Sequence, residues 1–265
     1  MSFTRCFSTL GCPELGIDEV FALAGRHGVQ AVELRALGGT IDLAEHFARE
    51  FGTPDKLAAH VRGRTPRIVA IDTSLHLVGG TAAEREGAEA LAPWAEALGV
   101  RWLRAFDGGA KANEAEIAEA KATLGAWASL RESRGWKVEL MVETHDSLFT
   151  AAAIGRLAAA VPGVRILWDS HHTWKRGGED PLATWEAIKE HVVHVHVKDS
   201  VSRPSGKYPF TYALPGTGEF PMAGLREKLA VGFGGAASLE WEKLWHPELA
   251  PLEEVLRSAR ERAWW

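Results

Sequence analysis

Hydrophobic positions along this chain switch repeatedly between a period of two and a helical period. Phe3–Thr9 reads as an extended run, and Ile17–His27 follows it with Val20, Leu23 and Ala24 at helical spacing. Gly28 ends that helix, and Val29–Arg35 (VQAVELR) is extended again. The same junction of helix, glycine and β-rich run recurs at Leu98-Gly99-Val100, Arg134-Gly135-Trp136 and Pro162-Gly163-Val164. Between these lie a helix at Pro54–Gly63, a strand at Arg67–Leu75 and a helix at Thr81–Leu98. Thr81 with Glu84 forms a capping box; Asn113 with Glu116 forms a second, opening a helix that runs through Arg134. Pro93 predicts a kink or a split in the helix that contains it. Further helices are expected at Leu148–Ala160, Pro181–His191, Pro221–Val231 and Leu252–Trp264.

Four strand-like runs occupy the second half: Val138–Glu143, Val164–Asp169, Val192–His196 and Ala236–Glu240. The total is eight strands alternating with eight helices, without a linker. Strict alternation implies a parallel sheet, and eight units in 265 residues imply closure. The expected fold is therefore α/β, a (β/α)8 TIM barrel with residues 1–265 as a single domain; such barrels need about 250 residues. No G-x-G-x-x-G follows the first strand, which argues against a dinucleotide fold, and Gly216-Thr217-Gly218 reads as a turn.

Composition narrows the function. The net charge is −5, and lysines and arginines are scattered, so neither nucleic acid nor an anionic membrane is an expected partner. Two cysteines, Cys6 and Cys12, are too few for a disulfide scaffold and lack C-x-x-C spacing. No run reaches membrane-spanning length and the N-terminus has no signal-like apolar stretch, so a cytoplasmic location is expected. Trp264-Trp265 reads as cover for a barrel face, or else as a subunit contact in a homo-oligomer. The first is preferred, because single aromatics need no patch to explain them.

The chemistry lies at the strand ends. Each of the four late runs is apolar until its last residue or two: Glu143, Asp169, His196 and Glu240. At the same end of successive parallel strands these groups converge on one point. Buried carboxylates are costly unless paired, and a divalent cation supplies the pairing. Residues two apart share a strand face, which groups Met141, Glu143 and His145; Leu167, Asp169 and His171; His194, His196 and Lys198; and Ser238, Glu240 and Glu242. His196 is nearer the mouth than His194, and Glu242 is already at the rim, so Glu143, Asp169, His196 and Glu240 are the expected metal ligands. Three carboxylates and an imidazole suit Mn²⁺ best, with Mg²⁺, Co²⁺ or Zn²⁺ as alternatives.

With VELR, VETHD, LWDSHHTW, VHVHVKDS, ALPGTGEF and SLEWE in place, the chain resembles the xylose-isomerase-like superfamily of sugar (phosphate) isomerases and epimerases over nearly its whole length. The resemblance implies the same four ligands. It also implies substrate contacts from His172, three residues after the aspartate, and from an arginine past the metal histidine. Arg203 is the nearest arginine, one position off the expected spacing. The mechanism implied is carbon proton transfer through an enediolate on a small carbohydrate, with the metal as Lewis acid and Glu143 and Glu240 as acid and base. Lys198, His145 and His172 hold hydroxyls or stabilise the oxyanion.

Earlier strands add His76 at the mouth end as a substrate contact, with Glu33 and Arg35 sharing one face and Arg104 and Phe106 another. For Glu33 and Arg104 an ion pair is at least as good a reading. Trp174 and Trp245 are candidates for an aromatic wall, and Lys207 and His246 are loop candidates. The chief alternative is a metal-dependent lyase or dehydratase on a keto-sugar, keto-inositol or keto-glycoside. An endonuclease IV-like repair enzyme is disfavoured, because Ser200–Tyr212 contains no Asp or His to complete a three-metal site. A metal-stabilised barrel without activity is the remaining reading. Ser200–Phe220, the longest stretch without a helix or strand pattern, is expected to form a mobile flap over the mouth.

Overall fold

The structure is a computed structural model that describes residues 3–206 and 208–265. Eight parallel strands close into a barrel: β1 (Thr4–Ser8), β2 (Ala31–Leu34), β3 (Arg67–Val78), β4 (Trp102–Gly108), β5 (Glu139–Glu143), β6 (Ile166–Asp169), β7 (Val192–Val197) and, after two short strands described below, β10 (Ala236–Leu239). Each neighbour in the ring is the neighbour in sequence, and β10 pairs with β1 to close it. The expected α/β barrel is the fold observed.

The helices surround the strands: α1 (Ile17–His27), α2 (Leu43–Phe51), α3 (Pro54–Val61), α4 (Ala82–Leu98), α5 (Glu114–Arg134), α6 (Ala151–Ala160), α7 (Ser170–Lys175), α8 (Pro181–Ile188), α9 (Met222–Ala230) and α10 (Leu252–Glu261). The helix-to-strand glycines work as expected: Gly28, Gly99 and Gly135 each end a helix in the left-handed region, where no Cβ has to be accommodated. Both capping boxes are present, at Thr81/Glu84 and Asn113/Glu116. The main core lies between strands and helices, whereas small apolar groups, Cys6, Ala31 and Ala236 and then Ala70, Met141 and Leu167, fill the barrel interior beneath a polar layer.

Several expectations need correction. Among the described residues there are ten α-helices, not eight. The unexpected ones are α2, capped by Asp42 on the N–H of Glu45, and α7, which starts directly at the end of β6. Helix α4 is not split at Pro93. The carbonyl that Pro93 leaves without a partner is that of Glu89, an exposed residue, where water can satisfy it. Strand β3 continues past Leu75 to Val78, so His76 lies within the strand. It does so across a bulge, the ladder with β4 shifting between Asp72 and His76. The stretch after β7 is not without strands: β8 (Asp199–Val201) and β9 (Thr211–Ala213) form an antiparallel hairpin.

The C-terminal tryptophans lie against the barrel. The indole N–H of Trp265 donates to the carbonyl of Ala237 on β10 at 3.3 Å, and Arg5 Nη1 on β1 donates to the carbonyl of Trp265 at 3.0 Å. Arg5 and Ala237 are register partners at the seam where the barrel closes, so one residue staples both strands. Trp265→Ala is expected to lower the unfolding free energy by about 3 kcal/mol, as loss of a large buried side chain does. Urea denaturation measures this, and an unchanged midpoint would show that the seam holds without the ring.

Candidate functional site

Strand ends place the side chains. Glu143 is the last residue of β5, Asp169 the last of β6, His196 sits near the end of β7, and Glu240 follows β10, tied to β7 by its N–H donating to the carbonyl of Val197. Ligating atoms of these four residues lie within 4.8 Å of one another, and all four residues are buried. Each contributes a buried atom with no hydrogen-bond partner, Glu143 Oε2, Asp169 Oδ2, His196 Nδ1 and Glu240 Oε2, although the three oxygens are in ion-pair reach of Arg104 or Lys198. Oxygen and nitrogen atoms around a Mg- or Mn-sized ion, at bonds of about 2.0–2.3 Å, stand up to about 4.6 Å apart, so small side-chain shifts bring this cluster to that span. The donor set and its unsatisfied atoms therefore fit one divalent cation.

The groups behind this cluster fix its direction. Glu33 on β2 accepts from both histidines of β7, from His196 Nε2 at 2.8 Å and from His194 Nε2 at 3.2 Å. With Nε2 engaged, Nδ1 of His196 is turned towards Glu143 and Glu240, at 3.5 and 3.3 Å. Burial works against protonation of His196, yet Glu240 and Glu33 together push its pKa well above the ordinary imidazole range. The carboxyl of Asp169 is raised to about 6 by burial, opposed by Lys198 and aided by Glu240. Asp72, fully buried beside Glu33, is also pushed up by burial and by that neighbouring charge. Burial thus favours the protonated form of these two aspartates, whereas, against burial, His196, Arg104 and Lys198 hold Glu33, Glu143 and Glu240 below the ordinary carboxylate range.

Asp169 has two jobs. Its Oδ1 caps α7, accepting from the N–H groups of His171 and His172 at 2.9 Å each, while Oδ2 faces the cluster. The two histidines are thus presented by a helix and not by strand alternation, a correction for His171. His171 Nε2 meets Ser200 Oγ at 2.8 Å, whereas His172 Nδ1 meets the carbonyl of Thr144 at 3.2 Å and lies 3.2 Å from Asp169 Oδ2. Burial and the neighbouring charge of Lys198 hold both imidazoles well below their ordinary pKa, hence neutral.

Lys198 is almost wholly buried. Its Nζ lies 2.9 Å from Asp169, 2.5 Å from Glu240 and 2.6 Å from Glu242. Burial would strip its proton, but Asp169, Glu240 and Glu242 outweigh that and hold it charged. Arg104 reaches Glu143 at 3.2 Å and Asp72 at 3.7 Å, with its guanidinium 3.7 Å over the ring of Phe106. His145 stacks near Phe106 and His172, with ring centroids at 4.5 and 5.0 Å, and pairs with Asp146 at 3.0 Å. Burial lowers its pKa, but Asp146 and Glu143 raise it further.

The remaining candidates divide. His76 stacks on Phe106 at 4.9 Å, but its Nδ1 is engaged by Glu84 at 3.1 Å. Trp174 packs edge-on to His171, so it lines the mouth; Trp245 is exposed. His246 packs against Tyr208 and Tyr212 of the hairpin. Arg203 is exposed in the hairpin's loop and makes no ion pair with the cluster. Lys207 lies outside the described residues.

Two aspartates had no assigned role in the sequence. Asp107, the penultimate residue of β4, accepts from the N–H groups of His145, Asp146, Ser147 and Leu148 and so holds the loop that carries His145. Asp199 does the same for the hairpin. Its Oδ1 accepts from Ser200 and Phe220, its Oδ2 from Gly216 and Gly218. Gly218 must be glycine there, since a Cβ would stand 2.2 Å from Asp199 Oδ1. The hairpin is on the cluster side of the barrel: Tyr212 donates to Glu242 Oε1 at 2.8 Å, the same oxygen that Lys198 holds. The Asp-Gly-Gly at the end of β4 and the aspartate of VHVHVKDS were the only signals for these clamps.

A family model for the xylose isomerase-like TIM barrel matches residues 21–262. Among solved structures the chain is similar to the probable 3-DHS dehydratase AsbF, involved in petrobactin synthesis, from Bacillus anthracis, with 17% identity, 98% of each chain covered and a TM-score of 0.78. It is similar to the IolI protein with a bound zinc atom at 18% identity, covering 98% of this chain and 96% of that one, with a TM-score of 0.72. A D-tagatose 3-epimerase-like protein gives 14% identity, 98% and 100% coverage and a TM-score of 0.64. At such identities these structures speak for the fold. No curated protein matches the sequence significantly.

Asp199→Asn would set an amide NH₂ against two backbone N–H donors in place of an oxygen. The expected outcome is a loss of about 2–3 kcal/mol in stability together with faster amide hydrogen exchange across residues 211–220. Unchanged exchange there would show that the hairpin is held by its aromatic packing alone.

Proposed function

The chain belongs to the xylose isomerase-like TIM barrel family, and from that premise we propose that it is a divalent-metal-dependent enzyme that moves a proton on carbon beside a carbonyl, as an isomerase or epimerase of a small sugar or keto-sugar. The observation that carries the reading is the set of four strand-end residues, Glu143, Asp169, His196 and Glu240, each with a buried atom that has no hydrogen-bond partner. A divalent cation held there, with Mn²⁺ the best match to three carboxylates and one imidazole, would supply Lewis-acid polarisation of adjacent carbonyl and hydroxyl oxygens. The same reading takes residues 1–265 as one domain and a small-molecule carbohydrate as the partner.

The chain's own groups supply the proton chemistry. Glu143 and Glu240 approach from β5 and from beyond β10, so they flank a common volume from different sides. One removes the proton and the other returns it. The ammonium of Lys198 and the neutral imidazole of His172 are placed to hold hydroxyls or the developing oxyanion, and His145 stands at the same wall. The rings of Phe210, Tyr212 and Trp174 pack on His171 beside the cluster, an apolar wall that would limit water there.

A second reading shares the first step. Loss of a β-hydroxyl after proton removal would make the enzyme a dehydratase or lyase. Two observations favour it: the likeness to the probable dehydratase from Bacillus anthracis, and the ammonium of Lys198 beside the cluster, a positive charge for a departing hydroxyl oxygen.

Glu143→Gln and Glu240→Gln should each lower turnover by at least about a hundredfold on the active member of a panel of ketoses, aldoses and keto-glycosides. Metal content is measured beside rate, because both residues are also proposed ligands. Deuterium incorporation from solvent at the substrate C–H should vanish in at least one variant that still holds metal. Metal-loaded variants with wild-type exchange would remove the glutamates from the chemistry. Release of water or aglycone in place of reprotonation would assign the lyase reading.

A further inference from the structure

One buried charge at the barrel mouth has no task in the mechanism above. Arg35 stands immediately after β2, two residues beyond the glutamate that holds the paired histidines, and is 4% exposed. Its backbone is fixed, since the hydroxyl of Thr9 accepts from the N–H groups of Arg35 and Ala36 at 2.9 and 3.1 Å. Its guanidinium offers five N–H donors, and among the described residues only Nη2 is engaged, donating to Ser74 Oγ at 3.1 Å. Nη1 is buried without a partner, and no carboxylate among the described residues forms an ion pair with this side chain. A guanidinium taken out of water is ordinarily answered by a carboxylate or phosphate, because an unanswered buried charge is costly.

Arg104 makes the contrast. It is equally buried, but Glu143 and Asp72 both pair with it. The placement of Ser74 against Arg35 comes from the bulge in β3. Thr73 donates its hydroxyl to the carbonyl of Arg104 at 2.8 Å and accepts from the N–H of Leu75 at 3.0 Å. The ladder with β4 shifts there, between Asp72 and His76. Arg35 follows the same end of β2 that Glu143 occupies on β5, and the charged groups acting on it are Arg104, Asp72, Glu143 and Glu240. Burial, followed by the repulsion of Arg104, brings its pKa down to about 10, which leaves it charged at neutral pH.

We propose that Arg35 receives an anionic oxygen of the substrate, and that the enzyme acts on keto-polyols carrying an acidic group, a carboxylate or a phosphate, in preference to neutral sugars. This rests on the reading of the strand-end cluster as the reacting centre: the carbonyl end of the substrate lies by Glu143 and Glu240, and the acidic end reaches the β2 side. The charge that Arg35 lacks a partner for is then supplied by the ligand, and substrates without it leave the guanidinium unanswered.

Titration calorimetry on the Mn²⁺-loaded protein tests this with three probes of one chemical kind: D-fructose, D-fructose 6-phosphate and 5-keto-D-gluconate. At least one anionic probe should bind at least about tenfold more tightly than fructose, and which one does so separates phosphate from carboxylate. Arg35→Gln should abolish that preference while fructose affinity and Mn²⁺ content stay as in the wild type, and Arg35→Lys should restore part of it. No anion preference across the set, or a preference unchanged in Arg35→Gln, overturns the proposal. Should Arg35→Gln not fold, the wild-type comparison alone decides. Binding is read without turnover, so the two readings fail separately. An Arg35-dependent preference without carbon-proton exchange would sink the reaction and leave this inference standing. Exchange on fructose bound as tightly as the anions would do the reverse.

Discussion

Negative charge crowded into a dry barrel end is the constraint on which the rest of this structure turns. Glu33, Asp72, Glu143, Asp169 and Glu240 are all at most 6% exposed, and none can stay ionised there without a positive answer. Arg104 answers Glu143 and Asp72, Lys198 answers Asp169 and Glu240, and the paired histidines of β7 answer Glu33. In the cluster those ion pairs fall on Glu143 Oε2, Asp169 Oδ2 and Glu240 Oε2, atoms that with His196 Nδ1 have no hydrogen-bond partner, and the four residues share one small volume. The parallel barrel makes the crowding possible, because it brings the same end of every strand to one place.

Carboxylates in this molecule fall into two kinds by what they accept from. Asp107 and Asp199 take backbone N–H groups and turn loops into fixed walls, one carrying His145 and the other the β8–β9 hairpin. Glu33 takes two side-chain N–H groups and thereby sets which nitrogen of His196 faces inward. Only the remaining group is left with oxygens free for chemistry. The rigidity of the first kind is what allows the second to be preorganised.

Much of this arrangement is visible in the sequence for a simple physical reason. A buried parallel strand is apolar throughout, so a carboxylate or imidazole at its last position stands out, and Glu143, Asp169, His196 and Glu240 do so. The barrel itself shows because helix, glycine and β-run repeat at Gly28, Gly99, Gly135 and Gly163. Short elements were not visible. SHHTWK continues the polar end of β6 without a break, and six residues carry no helical period, so α7 was read as strand alternation. DSV and TYA are three residues each, too short to show period two, and so the hairpin looked like an unpatterned flap. Long-range pairing was hidden too. Glu33 meets His196 across 163 residues, and the bulge that sets Ser74 against Arg35 has no signature in the letters of β3.

The central claim is that four strand-end residues share one divalent cation. A crystal of the Mn²⁺-loaded protein measured at the manganese absorption edge tests it directly. One anomalous peak is expected, bound by carboxylate oxygens of Glu143, Asp169 and Glu240 at about 2.0–2.3 Å and by Nδ1 of His196, with Nε2 still on Glu33. A peak held instead by Glu33 and Asp72, or none within the barrel, would contradict the account.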